Sequence, residues 1–242
     1  MSGPRKTAIV TGASQGIGAG VVKAFVQRSF NVVATSRDMT RSTEVSASEQ
    51  VAVVDGDIGQ QATAVKIVET ALARFGSIDA LVNNAGIFFT KPFTDYTPED
   101  FRSLFSTNVE GFLYVTQLAI KQMLVQKTGG SIVTITAALA RNPVRGVTAS
   151  VPMITKGGLE TITQQLAMEY AKEGIRVNAV APGVVYTPLH RDTPQAVMES
   201  LSPMGRPSTV QEIADAVLYL TEAETITGDI LYVDGGAHFG RW

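Results

Sequence analysis

The chain has 242 residues, 45% of them hydrophobic and 17% charged, with a formal net charge of -2. These values suit one α/β domain with a sizeable buried core and give no electrostatic footprint for nucleic acid, whose phosphates call for a basic surface. With no cysteine and only two histidines, His190 and His238, the sequence excludes disulfides and thiolate chemistry and offers no metal site.

The N-terminus, MSGPRKTAIVTG, lacks the apolar core and cleavage site of a secretory leader, and no apolar run is long enough to span a bilayer. A soluble cytoplasmic protein without membrane contact is expected. TAIVTG then reads as a first strand, and Ile17, Val21, Val22, Phe25 and Val26 fall at helical spacing after it. NVVATS and VAVVDGD are further strands, and Gln60 to Phe75 is a helix with Ala64, Ile67, Val68, Ala71, Leu72 and Phe75 on its apolar side. DALVNNAG is a fourth strand. Thr97 and Pro98 then suit the cap and first position of a long helix, continued by Phe101, Leu104, Phe105, Val109, Phe112, Val115 and Leu118. SIVTIT is a fifth strand, Met153 to Lys172 a helix, IRVNAVAPG a sixth strand, TVQEIADAVLYLT a helix and DILYVDGG a seventh strand. The stretch from Tyr186 to Pro207 is the least regular and is a candidate lid. This alternation predicts a single-domain, doubly wound Rossmann-type α/β fold over 1–242: a parallel sheet of about seven strands with helices on both faces.

TGASQGIG, from Thr11 to Gly18, links the first strand to the first helix. Glycines there let the backbone approach a phosphate, and the helix start presents unpaired N–H groups to it. With NNAG at Asn83 to Gly86, Asn108 in STNVEG, RVNAVAPG ending at Gly183, and VDGG ending at Gly236, the chain resembles the short-chain dehydrogenase/reductase family over essentially its full length. The resemblance implies a nicotinamide dinucleotide held by Gly12, Ser14, Gly16, Ile17 and Gly18 at the first turn and by Asn83, Ala85 and Gly86 at the fourth strand. It further implies contacts from Lys156 and from Pro182, Gly183, Val185 and Thr187 on the nicotinamide side. Asp57 and Ile58 would meet the adenine, although Asp57 also reads as a helix cap. A carboxylate at the end of the second strand would bind the ribose hydroxyls. Ser36 stands there instead, followed by Arg37 with Arg41 close behind, which suits a 2′-phosphate and favours NADP(H) over NAD(H), unless the arginines are merely solvated.

In the resembled family a tyrosine is the general acid, a lysine four residues later binds the nicotinamide ribose, a serine orients the substrate carbonyl and an asparagine serves a proton relay. Lys156 and Asn108 match two of these, with a purely structural Asn108 as the alternative. The tyrosine position is Pro152 and the serine position Ala137. Substitute donors are Tyr186 and His190, then Thr136, Ser150, Thr155 and, more remotely, Tyr96, all residue types that more often pack or cap. Lys156 itself is another, if desolvation lowers its pKa. The expected activity is NADP(H)-dependent oxidation or reduction of a small, relatively apolar carbonyl, alcohol or imine substrate. The alternative is a catalytically silent NADP(H)-binding sensor or scaffold. The resemblance also implies a homotetramer packed through the helices after Pro98 and Pro152, or a dimer.

Overall fold

The computed structural model describes residues 5–240. Seven strands form β1 (Thr7–Thr11), β2 (Asn31–Ser36), β3 (Val51–Asp55), β4 (Ala80–Asn83), β5 (Gly130–Ile135), β6 (Ile175–Pro182) and β7 (Ile230–Val233). All pair in parallel, in the order β3-β2-β1-β4-β5-β6-β7. Successive residues of each strand face opposite sides, so the unbroken apolar runs feed two cores. Val10, Val82, Ile135 and Val180 face α1 (Gly16–Gln27) and α7 (Val210–Glu222). Ile9, Leu81, Ile132 and Val177 face α2 (Gln61–Phe75), α4 (Gly111–Gln126) and α5 (Ser150–Tyr170). Each such fully buried side chain contributes about 1.5–3 kcal/mol through burial.

The order reverses direction between β1 and β4, which opens a crevice beyond their C-terminal ends. Three connections shape that crevice differently from the sequence expectation. The long helix from Pro98 is two helices. Thr97 and Asp100 close a capping box on α3 (Pro98–Phe105), then a single wide π-helical turn at Ser106–Glu110 leads into α4. The helix expected from Met153 begins at Ser150, which puts Pro152 in the first turn of α5, where a backbone N–H has no acceptor within the helix. The irregular stretch after β6 contains a short turn at Pro188–His190 and the small helix α6 (Gln195–Ser200). No helix of the described residues is long and apolar enough to cross a membrane.

Candidate active site

A cleft of about 690 Å³ runs along the C-terminal rim of the sheet. Gly12, Gly16 and Ile17 form one end, and Asn84, Ala85 and Gly86 lie beside them. Lys156 and the Pro182–Val185 turn line the middle, and the far end is apolar, with Phe88, Leu139, Val144, Val147, Leu201 and Ala237.

The glycine turn is shaped for close approach. Gly12 has φ +65° and a Cβ there would come 2.8 Å from the Ala85 Cα, while a Cβ on Gly18 would overlap the Gly12 carbonyl. The Asn84 amide donates to the carbonyls of Thr11 and Gly12 at 2.9 and 3.0 Å. The Thr11 hydroxyl accepts the N–H groups of Asn84 and Ala85 at 3.1 and 3.0 Å. The ends of β1 and β4 are therefore locked together, with the start of α1 aimed into the cleft. No side chain of Gln15 caps that start.

Asn108 lies in the wide turn between α3 and α4 and is buried. Its Oδ1 accepts the Ile87 N–H at 2.8 Å, and its Nδ2 donates to the Ile87 carbonyl at 3.1 Å and to the Thr155 Oγ1 at 3.0 Å. Thr155 in turn donates to the Pro152 carbonyl at 2.7 Å. This clamp joins the chain after NNAG to the first turn of α5, from which Lys156 reaches the cleft. Lys156 is only 9% exposed and donates from Nζ to the Ile135 carbonyl at 2.8 Å. Among the described residues it has no ion-pair partner, and burial lowers its pKa from 10.5 to about 8.

The model of the family described as enoyl-(acyl carrier protein) reductase matches residues 12–238. L-xylulose reductase of Bos taurus is 35% identical over 240 residues, spanning 96% of this chain and 96% of its own length. The solved structure of 3-ketoacyl-(acyl-carrier-protein) reductase from Brucella melitensis, complexed with NADH, is 32% identical with a TM-score of 0.91, covering 97% of this chain and 99% of that one. That of ElxO with NADP bound is 27% identical with a TM-score of 0.88, covering 96% and 98%. The chain belongs to the short-chain dehydrogenase/reductase family.

In this short-chain dehydrogenase/reductase, Ala137 lines the cleft and Pro152 is buried behind it, so neither position offers a hydroxyl. Of the substitute donors, His190 lines the cleft, and partial burial pushes its imidazole below the ordinary 6.5. Tyr186 is a correction. It does not line the cleft, because its backbone pairs with Ser208 and turns the side chain outward beside Arg206, 42% exposed. Thr136 also lines the cleft, but its hydroxyl is engaged, donating to Glu160 of α5 at 3.1 Å and lying 3.3 Å from the Val180 carbonyl. Thr155 is held within the Asn108 clamp, and Ser150 is exposed at the start of α5. The Tyr96 hydroxyl accepts the Lys91 N–H at 3.2 Å and lies 3.1 Å from the Phe89 carbonyl, tying down its own loop.

On the glycine-turn side, Thr187 lines the cleft as expected from the resemblance. Asn83 does not. It is the last residue of β4, faces α4 and donates to the Thr116 hydroxyl at 2.9 Å; its neighbour Asn84 takes the cleft position. Asp57 accepts the Gly59 N–H at 3.0 Å as a turn residue, and Ile58 packs under Gly111. Arg41 is paired with Asp38 at 2.9 Å, whereas Arg37 is exposed with no ion-pair partner among the described residues. The Ser36 hydroxyl is buried without any partner. A glycine cradle that tolerates no Cβ, an orphaned hydroxyl at the end of β2 and a free guanidinium beside it together fit a nicotinamide dinucleotide. Sequence reasoning missed Asn84, although it stands inside the quoted NNAG. It also missed Asn142, a cleft residue whose amide donates to the Ala237 carbonyl at 2.8 Å and ties the C-terminal segment to the cleft wall.

Proposed function

We propose that the chain is an NADP(H)-dependent oxidoreductase for a small, relatively apolar carbonyl compound or the corresponding alcohol. A bound nicotinamide coenzyme supplies or accepts the hydride. Gly12, Gly16, Ile17 and Gly18 hold it at the turn, Ser36 and Arg37 favour its 2′-phosphate, and Lys156, Gly183 and Thr187 line its reactive end. The apolar far wall excludes water and orients the substrate. The observation that carries the reading is Lys156: a buried cation, with no ion-pair partner among the described residues, lining the cleft between the glycine turn and the apolar far wall. One of its N–H groups is spent on Ile135. The others are free to stabilise charge developing on a carbonyl oxygen and to pass it a proton, with His190 as a second exchangeable group at the rim. A buried positive charge also disfavours a protonated imine, so carbonyl compounds rank above imines.

Exposed apolar side chains on α5, Ile154 and Met168, and on α4, Leu113, Leu124 and Val125, support association of copies through these helices, as a tetramer or a dimer. The absence of hydroxyls at Ala137 and Pro152 favours a second reading, a silent NADP(H)-binding sensor or scaffold. One experiment separates the two. NADPH deuterated at the reactive carbon is incubated with a panel of apolar aldehydes and ketones. Stereospecific transfer of the label establishes the oxidoreductase. Tight NADPH binding with no transfer to any of them leaves the silent protein.

A further inference from the structure

The connection from β2 to β3, residues 37–50, contains no helix and crosses the glycine turn. Two apolar anchors hold it, since Met39 and Val45 are buried in the core beside α1. Its polar side chains then reach the turn. The Ser42 hydroxyl donates to the Ser14 carbonyl at 2.7 Å. One carboxylate oxygen of Glu44 accepts the Gly16 N–H at 3.3 Å, and the other lies 3.6 Å from the Nζ of Lys23 further along α1.

Gly16 is the first residue of α1, which has no acidic residue in its first turn and no side-chain cap. Its N–H is one of those left without an acceptor inside the helix, at the positive end of the dipole. Glu44 supplies the missing anion from 28 residues away. The extent of the cleft agrees. It reaches Gly12, Gly16 and Ile17, but none of Ser36, Arg37, Asp57 or Ile58 lines it. At the turn itself the backbone is covered by the connection, through Ser42 on Ser14 and Glu44 on Gly16.

We propose that residues 40–44, between the Met39 and Val45 anchors, are a displaceable strap and that Glu44 sits on an N–H that the coenzyme's pyrophosphate requires, so that Glu44 limits coenzyme affinity. This rests on the coenzyme reading above and adds a control on the same site. A carboxylate and a phosphate oxygen cannot both take one N–H, and their charges repel. Displacement is easy because Glu44 is already at the surface with Lys23 as a second partner. The pyrophosphate is common to both coenzymes, so the effect applies to NADH and NADPH alike.

The test is calorimetric titration of the full chain with NADPH and with NADH at low salt, comparing wild type, Glu44→Gln and Ser42→Ala. Glu44→Gln keeps the shape and removes the charge, and is expected to tighten both coenzymes by about 3- to 10-fold, with a smaller gain at high salt. Ser42→Ala cuts the other tie without altering charge and is expected to move affinity in the same direction, which guards against a folding defect peculiar to one variant. Unchanged or weaker binding by Glu44→Gln, or tightening with NADPH alone, overturns the strap. If wild type binds and Glu44→Gln binds no tighter, only the strap falls. If neither binds either coenzyme while thermal melts show intact folds, the coenzyme reading falls and takes the strap with it.

Discussion

Lys156 donates a 2.8 Å hydrogen bond to the Ile135 carbonyl, two residues before Ala137 on the same strand end. That bond fixes a cation inside the cleft at the cost of its hydration. Burial brings its pKa from 10.5 to about 8, so the unfolded chain binds the extra proton between those values. The sign follows from linkage. The penalty is fully present below pH 8 and is relieved as pH rises from 8 to 10.5, by about 3 kcal/mol. Lys156→Met is therefore expected to melt higher than wild type at pH 7, with the gap shrinking as pH approaches 10.5. Melting curves across that range check it, and a gap that stays constant or widens contradicts it. For the reductive direction, kcat/KM is expected to fall above about pH 8, as the ammonium proposed as proton source is lost.

Asn108 offers a different kind of test. Its side chain satisfies both backbone groups of Ile87 and the Thr155 hydroxyl while buried. Asn108→Ala strands several buried polar groups at once and is expected to cost about 2–4 kcal/mol. Thr155→Ala leaves fewer unpaired and is expected to cost about 1 kcal/mol. Urea denaturation ranks the two. Equal effects mean that Asn108 does not act as the hub of the clamp.

Gly18 is the tightest point of the glycine turn. A Cβ there would overlap the Gly12 carbonyl and press on the Asn84 amide, which is itself bonded to Thr11 and Gly12. Gly18→Ala is expected to push β1 and β4 apart at their ends and to weaken NADPH binding by more than about 10-fold, with a loss of about 1–3 kcal/mol in stability. At Gly157 a Cβ meets open space, so Gly157→Ala serves as the control and is expected to leave coenzyme affinity unchanged.

Much of this was legible in the sequence because strong local signals coincide. Every strand is an apolar run, four of the seven (β1, β3, β4 and β6) are closed by glycine or asparagine, and Thr97, Pro98 and Asp100 announce α3 in a few residues. The errors fell where tertiary geometry decides. Alternation along β4 sends Asn83 into the core and leaves Asn84 to face the cleft, a one-residue difference that NNAG cannot reveal. The pairing of Val185 with Ser208 turns Tyr186 outward, and Ser208 is too remote in sequence for that to be foreseen. Residues 37–50 have no periodicity, so nothing in them shows that Ser42 and Glu44 fold back onto the glycine turn.

On the proposed reading, coenzyme choice turns on the end of β2. Ser36 holds a buried hydroxyl with no partner, Arg37 is unpaired among the described residues, and Arg41 is already tied to Asp38. Arg37→Ala is expected to weaken NADPH binding several-fold and leave NADH unchanged, since only the former carries the 2′-phosphate. Ser36→Asp is expected to reverse the preference, because a carboxylate there accepts from the ribose hydroxyls and repels a phosphate. Titrations of both coenzymes against both variants check this, and parallel losses for NADH and NADPH with Arg37→Ala place the 2′-phosphate elsewhere.

The last prediction concerns the two lost hydroxyls. Pro152 lies in the first turn of α5, where a backbone N–H is not needed by the helix, so replacing it there breaks no ladder bond. Ala137 lines the cleft in extended conformation, and a serine hydroxyl adds little volume. Lys156 and the Asn108 clamp already stand where a tyrosine one helical turn before the lysine would use them. The double variant Ala137→Ser, Pro152→Tyr is therefore expected to raise kcat for apolar aldehydes by about 10²-fold, the scale of a positioned general acid. Its alkaline limb should also move above pH 8, as the phenol takes over proton delivery from Lys156. Single variants should recover much less, because acid and carbonyl-orienting group act on the same oxygen. A double variant that binds NADPH as wild type does, yet turns over no faster, means that residue 152 is held too far behind the cleft wall for its side chain to reach a substrate.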